Sequence, residues 1–298
     1  MVAKVKTRTS RTQNGIFYLM LLPFTVMFVL FMIIPAIGGM LVSFTDFNGM
    51  TFPSFVGLDN YIRLMVEDST FIIVLKNTLL IAVLVGPVGF ILSFVIAWLI
   101  NELPKTTRLV MIFLVYSPSF SGTLYTVWQY VFSNDENGIM NSVLQRIGIE
   151  PVSWLSDSKY SMTVVIIVSI WMSFGAGFLS FIAGLRGLDK AYYEAAAIDG
   201  LKNRWQELYY VTLPQMAPQL MFGAVQSIGG GFAAGMISRS LAGYPSTNNA
   251  TDTILLYMSD YGSTRFEYGY ASAMSVVLMA IMLIVWKLTQ KALNSFNS

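Results

Sequence analysis

The sequence predicts an all-α polytopic membrane protein with six transmembrane helices. Two observations, composition and the length of the apolar stretches, carry that prediction, and a third narrows the chemistry. Of the 298 residues, 55% are hydrophobic and 11% charged, against about 25% charged in a typical soluble domain. Six apolar stretches are each long enough for a hydrocarbon core that ~20 helical residues cross. Cysteine and histidine are absent, which removes a disulfide framework, the commonest general base and the commonest metal ligand. Backbone polar groups in lipid must pair within their own segment, so each span is a helix.

Residues 1–15 read as a cytoplasmic N-terminal tail with Lys4, Lys6, Arg8 and Arg11; residues 16–298 form the six-span domain. The first span, 16–44, is longer than a signal-peptide core and lacks an Ala-x-Ala cleavage site. Pro23 or Pro35 bends it. The second, 71–100, carries Pro87 as a kink and Lys76 near its outer end. The third, 109–132, is interrupted at Ser117-Pro118-Ser119. The fourth is 161–184, the fifth 217–238 and the sixth 268–287.

Orientation follows from lysine and arginine. With both termini inside, the inner segments hold Lys4, Lys6, Arg8, Arg11, Lys105, Arg108, Arg186, Lys190, Lys202, Arg204, Lys287 and Lys291. The outer ones hold Arg63, Lys76, Arg146, Lys159, Arg239 and Arg265. That is 12 against 6, accounting for all 18. The excess places the termini, and the loop between spans four and five, in the cytoplasm.

That loop, about 185–216, is the longest charged inner segment. Three alanines after Glu194 favour helix, Asp189 can cap its start, and Asp199-Gly200 reads as its stop. Asn203 can cap a second short helix through about Val211, which Pro214 ends. The product is a helix-turn-helix outside the membrane, presenting small apolar side chains beside an acid.

No Asp, Glu, Lys or Arg sits in the middle of any span, unlike ion-coupled transporters, which keep ionisable groups there. The chain has no Gly-x-x-x-x-Gly-Lys-Ser/Thr loop for nucleotide phosphates. Nor does it have a basic stripe with interleaved aromatics for nucleic acid. A neutral, hydroxyl-rich solute would want small polar groups and aromatic faces. Candidate pathway residues are Tyr116 and Ser119 in span three, Ser169 and Ser173 in span four, and Gln226 and Gly230 in span five. Small residues in spans equally serve close helix packing.

The stretch Glu194-Ala195-Ala196 with Asp199-Gly200 and Leu213-Pro214 resembles the Glu-Ala-Ala loop of inner-membrane subunits of ABC importers. The sequence departs from that pattern with Leu201 in place of alanine and Val211 in place of isoleucine. The interval from Gly200 to Val211 is also one residue longer. The outer segments are similar in order to the sugar-transporting branch that pairs with a second permease, as in maltose and glycerol-phosphate importers. They include Gly57-Leu58-Asp59-Asn60-Tyr61, Asn137-Gly138-Ile139-Met140-Asn141 with Trp154, and Tyr268-Gly269-Tyr270. The likeness runs from about residue 16 to the end, without the maltose protein's large outer domain.

The resemblance implies a type I ABC importer permease fold in a bacterial plasma membrane. Its loop forms a cytoplasmic coupling helix-turn-helix in which Glu194, Ala195, Ala196, Asp199, Gly200, Leu213 and Pro214 meet an ATPase cleft. It implies a second permease, two ATPase subunits holding ATP and magnesium, and an extracytoplasmic sugar-binding protein. The chain itself would bind no cofactor and catalyse nothing. Where that branch often carries Asn and Phe, Gly229-Gly230-Gly231 would leave room for an oligosaccharide. The alternatives are a permease for another neutral or anionic solute and, more distantly, a lipid-modifying enzyme. For the enzyme, Asp199-Gly200 lacks the further spaced aspartates that hold a metal.

Overall fold

The computed structural model describes residues 11–120 and 123–294; Lys4, Lys6 and Arg8 of the basic tail lie outside them. Regular structure among the described residues is helical, apart from one antiparallel bridge between Thr45 and Phe55. Four helices are long and apolar enough to span unbroken: Phe17–Val42, Ser69–Asn101, Ala217–Ala242 and Tyr268–Leu293. Two more spans are bent pairs, Lys105–Phe120 with Tyr125–Val131 and Ser161–Met172 with Ala176–Gly187. Counting each pair once gives the six spans expected from the sequence.

In the first span the irregularity belongs to Pro35 rather than Pro23. Pro23 lies inside a regular helix, whereas a π-turn over Val29–Ile33 immediately precedes Pro35. Proline cannot donate to the carbonyl one turn back, and the ladder widens ahead of it, with the Ile34 N–H reaching the Val29 oxygen. The second span is a continuous 33-residue helix through Pro87. Asp68 caps it by accepting the Phe71 N–H at 3.0 Å. In the third, a 3-10 turn over Ser117–Phe120 stands where the interruption is predicted.

The fourth span corrects the sequence reading. It is not continuous over 161–184 but breaks between Met172 and Ala176, with a 40° bend. Ser173 turns its hydroxyl onto the Ile170 oxygen at 2.6 Å, and the Gly175 N–H bonds the Ser173 oxygen at 2.8 Å. A hydroxyl that bonds locally competes with the helical ladder, and the following glycine gives the helix little reason to continue.

Spans two, four, five and six form the packed body. Phe94, Phe178, Phe181, Met216 and Leu220 fill the half nearer the 185–216 loop, while Phe71, Phe232, Tyr257, Tyr270 and Met274 fill the opposite half. Without a hydrophobic gradient in lipid, helices associate by close packing over small residues. Gly231 is one such contact: a Cβ there would lie 3.2 Å from Ala82 Cα on span two. The first span is the most open, its apolar stretch unburied, and it meets the body where Ile34–Val42 lies against the sixth span.

At the end opposite the 185–216 loop, side chains fasten the connecting segments. Tyr61 shares a hydrogen bond with Ser43 at 2.7 Å. Trp154 Nε1 donates to Asn141 Oδ1 at 2.8 Å. Gly269 is required there by contact, since a Cβ would stand 2.0 Å from the Thr45 oxygen.

Candidate coupling surface and translocation face

The 185–216 loop folds as a helix, a glycine turn and an irregular second helix. Asp189 caps the helix Lys190–Ile198 by accepting the Ala191 N–H at 3.0 Å. Gly200 has φ +93, the left-handed region that glycine enters cheaply. That turn lets the Leu201 N–H reach the Ala196 oxygen at 3.0 Å, closing the helix end as a 6→1 bond. Asn203 caps Arg204–Glu207 by accepting the Gln206 N–H at 2.9 Å.

Pro214 does not end the second helix as expected. The chain continues through a π-turn over Leu208–Thr212 and a last helical turn, Leu213–Gln215. A π-turn holds one residue more than the α-helical turn it replaces. The long interval between Gly200 and Val211 is taken up inside the helix, and the glycine turn keeps its form. Pro214 follows that π-turn directly, where the Leu213 N–H reaches back to the Leu208 oxygen and the widened ladder accommodates the missing proline N–H.

Of the seven residues assigned to this surface, Glu194, Ala195, Asp199, Gly200 and Pro214 are exposed, Leu213 is half-buried and Ala196 is buried. Ala196 therefore packs the helix down, leaving Ala195 and Ala197 outward. Sequence reasoning missed the aromatic and aliphatic part of the surface. Ile198 is 86% and Trp205 70% exposed, and Tyr192, Tyr209 and Tyr210 are exposed beside them. Apolar exposure of this extent on a charged, non-spanning segment marks an interaction surface.

The segment is tied back to the spans by contacts that no local spacing reveals. Arg204 reaches Glu102, at the end of span two, at 3.0 Å and Glu207 at 2.7 Å. Those two carboxylates, the Glu207 hydrogen bond foremost, raise the Arg204 pKa. Trp205 packs at a tilt against Trp98 with ring centroids 5.3 Å apart. The Tyr193 hydroxyl shares a hydrogen bond with Thr212 at 2.9 Å.

The candidate pathway residues fall into three groups. Ser119, Ser173 and Gln226 converge on the break in span four. Ser119 Oγ donates to the Phe174 oxygen at 2.8 Å, Ser173 belongs to the break itself, and Gln226 Cβ lies 3.9 Å from where a Cβ of Gly177 would stand. Gly230 lies one turn beyond Gln226 on the exposed face of span five, with open space around it. Ser169 is buried with an unpartnered hydroxyl, and Tyr116 packs edge-on against Phe120 at 5.3 Å. The glycine run divides: Gly229 and Gly230 face open space, while Gly231 is a packing contact. Non-helical backbone at membrane depth survives only where protein covers it or where it lines a cavity, so the break is the natural place for a polar path. Among the described residues no three acidic side chains gather as a metal site would need.

Known proteins agree with this architecture. The chain is 31% identical over 288 residues to the probable ABC transporter permease protein YesP of Bacillus subtilis, covering 94% of this chain and 91% of that one. It is 29% identical over 282 residues to the arabinooligosaccharides transport system permease protein AraP of the same organism, covering 94% and 89%. In fold it matches a chain of a bacterial alginate ABC transporter solved with an alginate pentasaccharide-bound periplasmic protein. That match has a TM-score of 0.79 at 24% identity and covers 96% of each chain. Residues 89–295 match the family described as binding-protein-dependent transport system inner membrane component, more than half of the chain, and the protein belongs to that family.

Proposed function

We propose that this chain forms one half of a two-permease pathway that takes a sugar or oligosaccharide into a bacterial cell. As a family member it is a membrane-embedded, non-catalytic translocation subunit of an ATP-driven importer. The observation that carries the substrate class is the break in span four. There Ser119, Ser173 and Gln226 gather beside non-helical backbone without any charged side chain. With both hydroxyl protons given to carbonyls, such a surface offers a polyol two hydroxyl oxygens as acceptors and one side-chain amide, and offers an ion no fixed counter-charge. A relative with an oligosaccharide in its name, AraP, supports the same class.

The partners follow from three exposed features. The outward Ile198, Trp205, Tyr209 and Tyr210 around Glu194, Ala195, Asp199 and Gly200 fit a groove on an ATPase, of which two would bind ATP and magnesium. Nucleotide-dependent docking there shifts the permease between inward- and outward-facing states by differential affinity. The free flank of Phe17–Val42 suits a second permease beside lipid. The fastened loops at the opposite end suit a sugar-binding protein outside the membrane. The charge count supports cytoplasmic termini.

The test is purification of the tagged chain from its native membrane in mild detergent, with ATP hydrolysis followed as glycans and the candidate binding protein are added. Co-purification of a second permease and an ATPase, with hydrolysis stimulated by a glycan, is the expected result. Stimulation only by a charged, non-sugar solute would contradict the substrate class.

A further inference from the structure

A cavity of about 260 Å³ lies where the ends of spans two, three and four meet the 185–216 loop. It is lined by Arg108, Arg186, Lys190 and Arg204, with Glu102 and Glu207. Both carboxylates are already engaged by Arg204. Among the described residues, no carboxylate lies within ion-pair distance of Arg108, Arg186 or Lys190. Arg108 donates Nη1 to the Asn101 oxygen at 3.1 Å, but its Nε–H is buried without an acceptor. A buried, charged donor left unpaired is costly. Four cations thus face two carboxylates, both held by Arg204, and the lining keeps a net positive charge beside the unpaired Arg108 Nε–H.

We infer that this cavity is a binding site for a phosphate-bearing anion, independent of which solute the chain transports. A phosphate supplies several acceptor oxygens at once, and guanidinium groups match them in a fork geometry. Two sources have this chemistry. One is the headgroup of an anionic phospholipid, since basic pockets between helix ends at the cytoplasmic surface lie at headgroup depth. The other is soluble phosphate or a phosphate ester. Either would bridge the span ends, through Arg108 and Arg186, to the loop, through Lys190 and Arg204. An occupied site would stiffen the joint between the loop and the spans.

The full chain, with whatever partners purify with it, is reconstituted in nanodiscs of phosphatidylcholine alone or with phosphatidylglycerol. Native mass spectrometry then counts retained phosphatidylglycerol, and thermal unfolding follows a titration with inorganic phosphate in the phosphatidylcholine discs. Retention that falls about five-fold for each charge removed in Arg186→Gln and Lys190→Gln assigns the lipid source. A phosphate-dependent rise in Tm that disappears in Arg108→Gln assigns the soluble source. Arg186 and Lys190 are exposed, so their removal leaves the packing intact. Lys105→Gln, a nearby cation that does not line the cavity, should retain lipid like the unaltered chain. Equal retention in all variants with no response to phosphate would overturn the site. So would a loss as large in Lys105→Gln as in the cavity variants, which would mean diffuse attraction only.

Discussion

Ser119 Oγ donates to the carbonyl oxygen of Phe174 at 2.8 Å, joining the 3-10 turn of the third span to the break in the fourth. A side chain of one interruption thus satisfies a backbone carbonyl of the other across 55 residues of chain. Bilayer hydrocarbon offers no water to replace such a bond.

Ser119→Ala removes the donor and leaves the Phe174 carbonyl short of a partner. The expected loss is about 1–3 kcal/mol of stability, read as a lower unfolding midpoint in detergent, together with reduced uptake. Ser119→Thr, which keeps the hydroxyl, should recover most of both. An unchanged midpoint in Ser119→Ala would remove the link between the two breaks.

Ser173 is as much a packing residue as a polar one, because a Cβ on Gly89 would stand 2.5 Å from its Oγ. Gly89→Ala should destabilise by about 1–3 kcal/mol, the usual cost of overpacking. The added Ser173→Gly should restore much of that loss. A double-mutant cycle in detergent checks it, since residues in contact couple and distant ones add.

Arg204 is 63% exposed at the side chain, so its two ion pairs contribute at most about 1 kcal/mol to stability. Their larger role is to hold the loop against span two. Arg204→Gln is expected to leave expression and assembly unchanged and to lower solute-stimulated ATP hydrolysis. A fall in assembly with normal stimulation would show that the contact serves subunit docking alone.

The spans, their order and both caps of the Lys190–Ile198 helix were legible because each rests on local signals. These are apolar runs, Asp189 before an alanine-rich helix, and Gly200 at its end. The break in span four was not legible, because Ser173-Phe174-Gly175 lies within an apolar run and its stabilising donor, Ser119, comes from another span. The ties from Arg204 to Glu102 and from Trp205 to Trp98 are likewise long-range. Pro214 misled for a different reason. Proline ends a regular helix, but a π-turn ahead of it removes the conflict.

Asp252 gives a pH dependence. It is buried and accepts the Ser246 N–H at 3.0 Å. Burial raises its pKa above 3.8, and the Ser246 hydrogen bonds offset only part of that rise. A carboxyl whose folded pKa is raised contributes stability while protonated, so this contribution is full below 3.8 and is lost as pH rises through the folded pKa. Asp252→Asn keeps an acceptor for Ser246 and cannot ionise. Its Tm relative to the unaltered chain should therefore increase as pH rises from 3.8 through that window. A constant difference would show that Asp252 ionises in the fold as freely as in water.

The Lys190–Ile198 helix is proposed to meet an ATPase. The chain contains no cysteine, so one introduced thiol reports one position. Ala195→Cys, on the exposed face, should cross-link in native membranes to a nucleotide-hydrolysing subunit, with a yield that changes between ATP-bound and nucleotide-free conditions. Val143→Cys, exposed on the short helix Ile139–Arg146 at the opposite end, should not. Absence of the Ala195→Cys product, or the same product from Val143→Cys, would contradict the assignment.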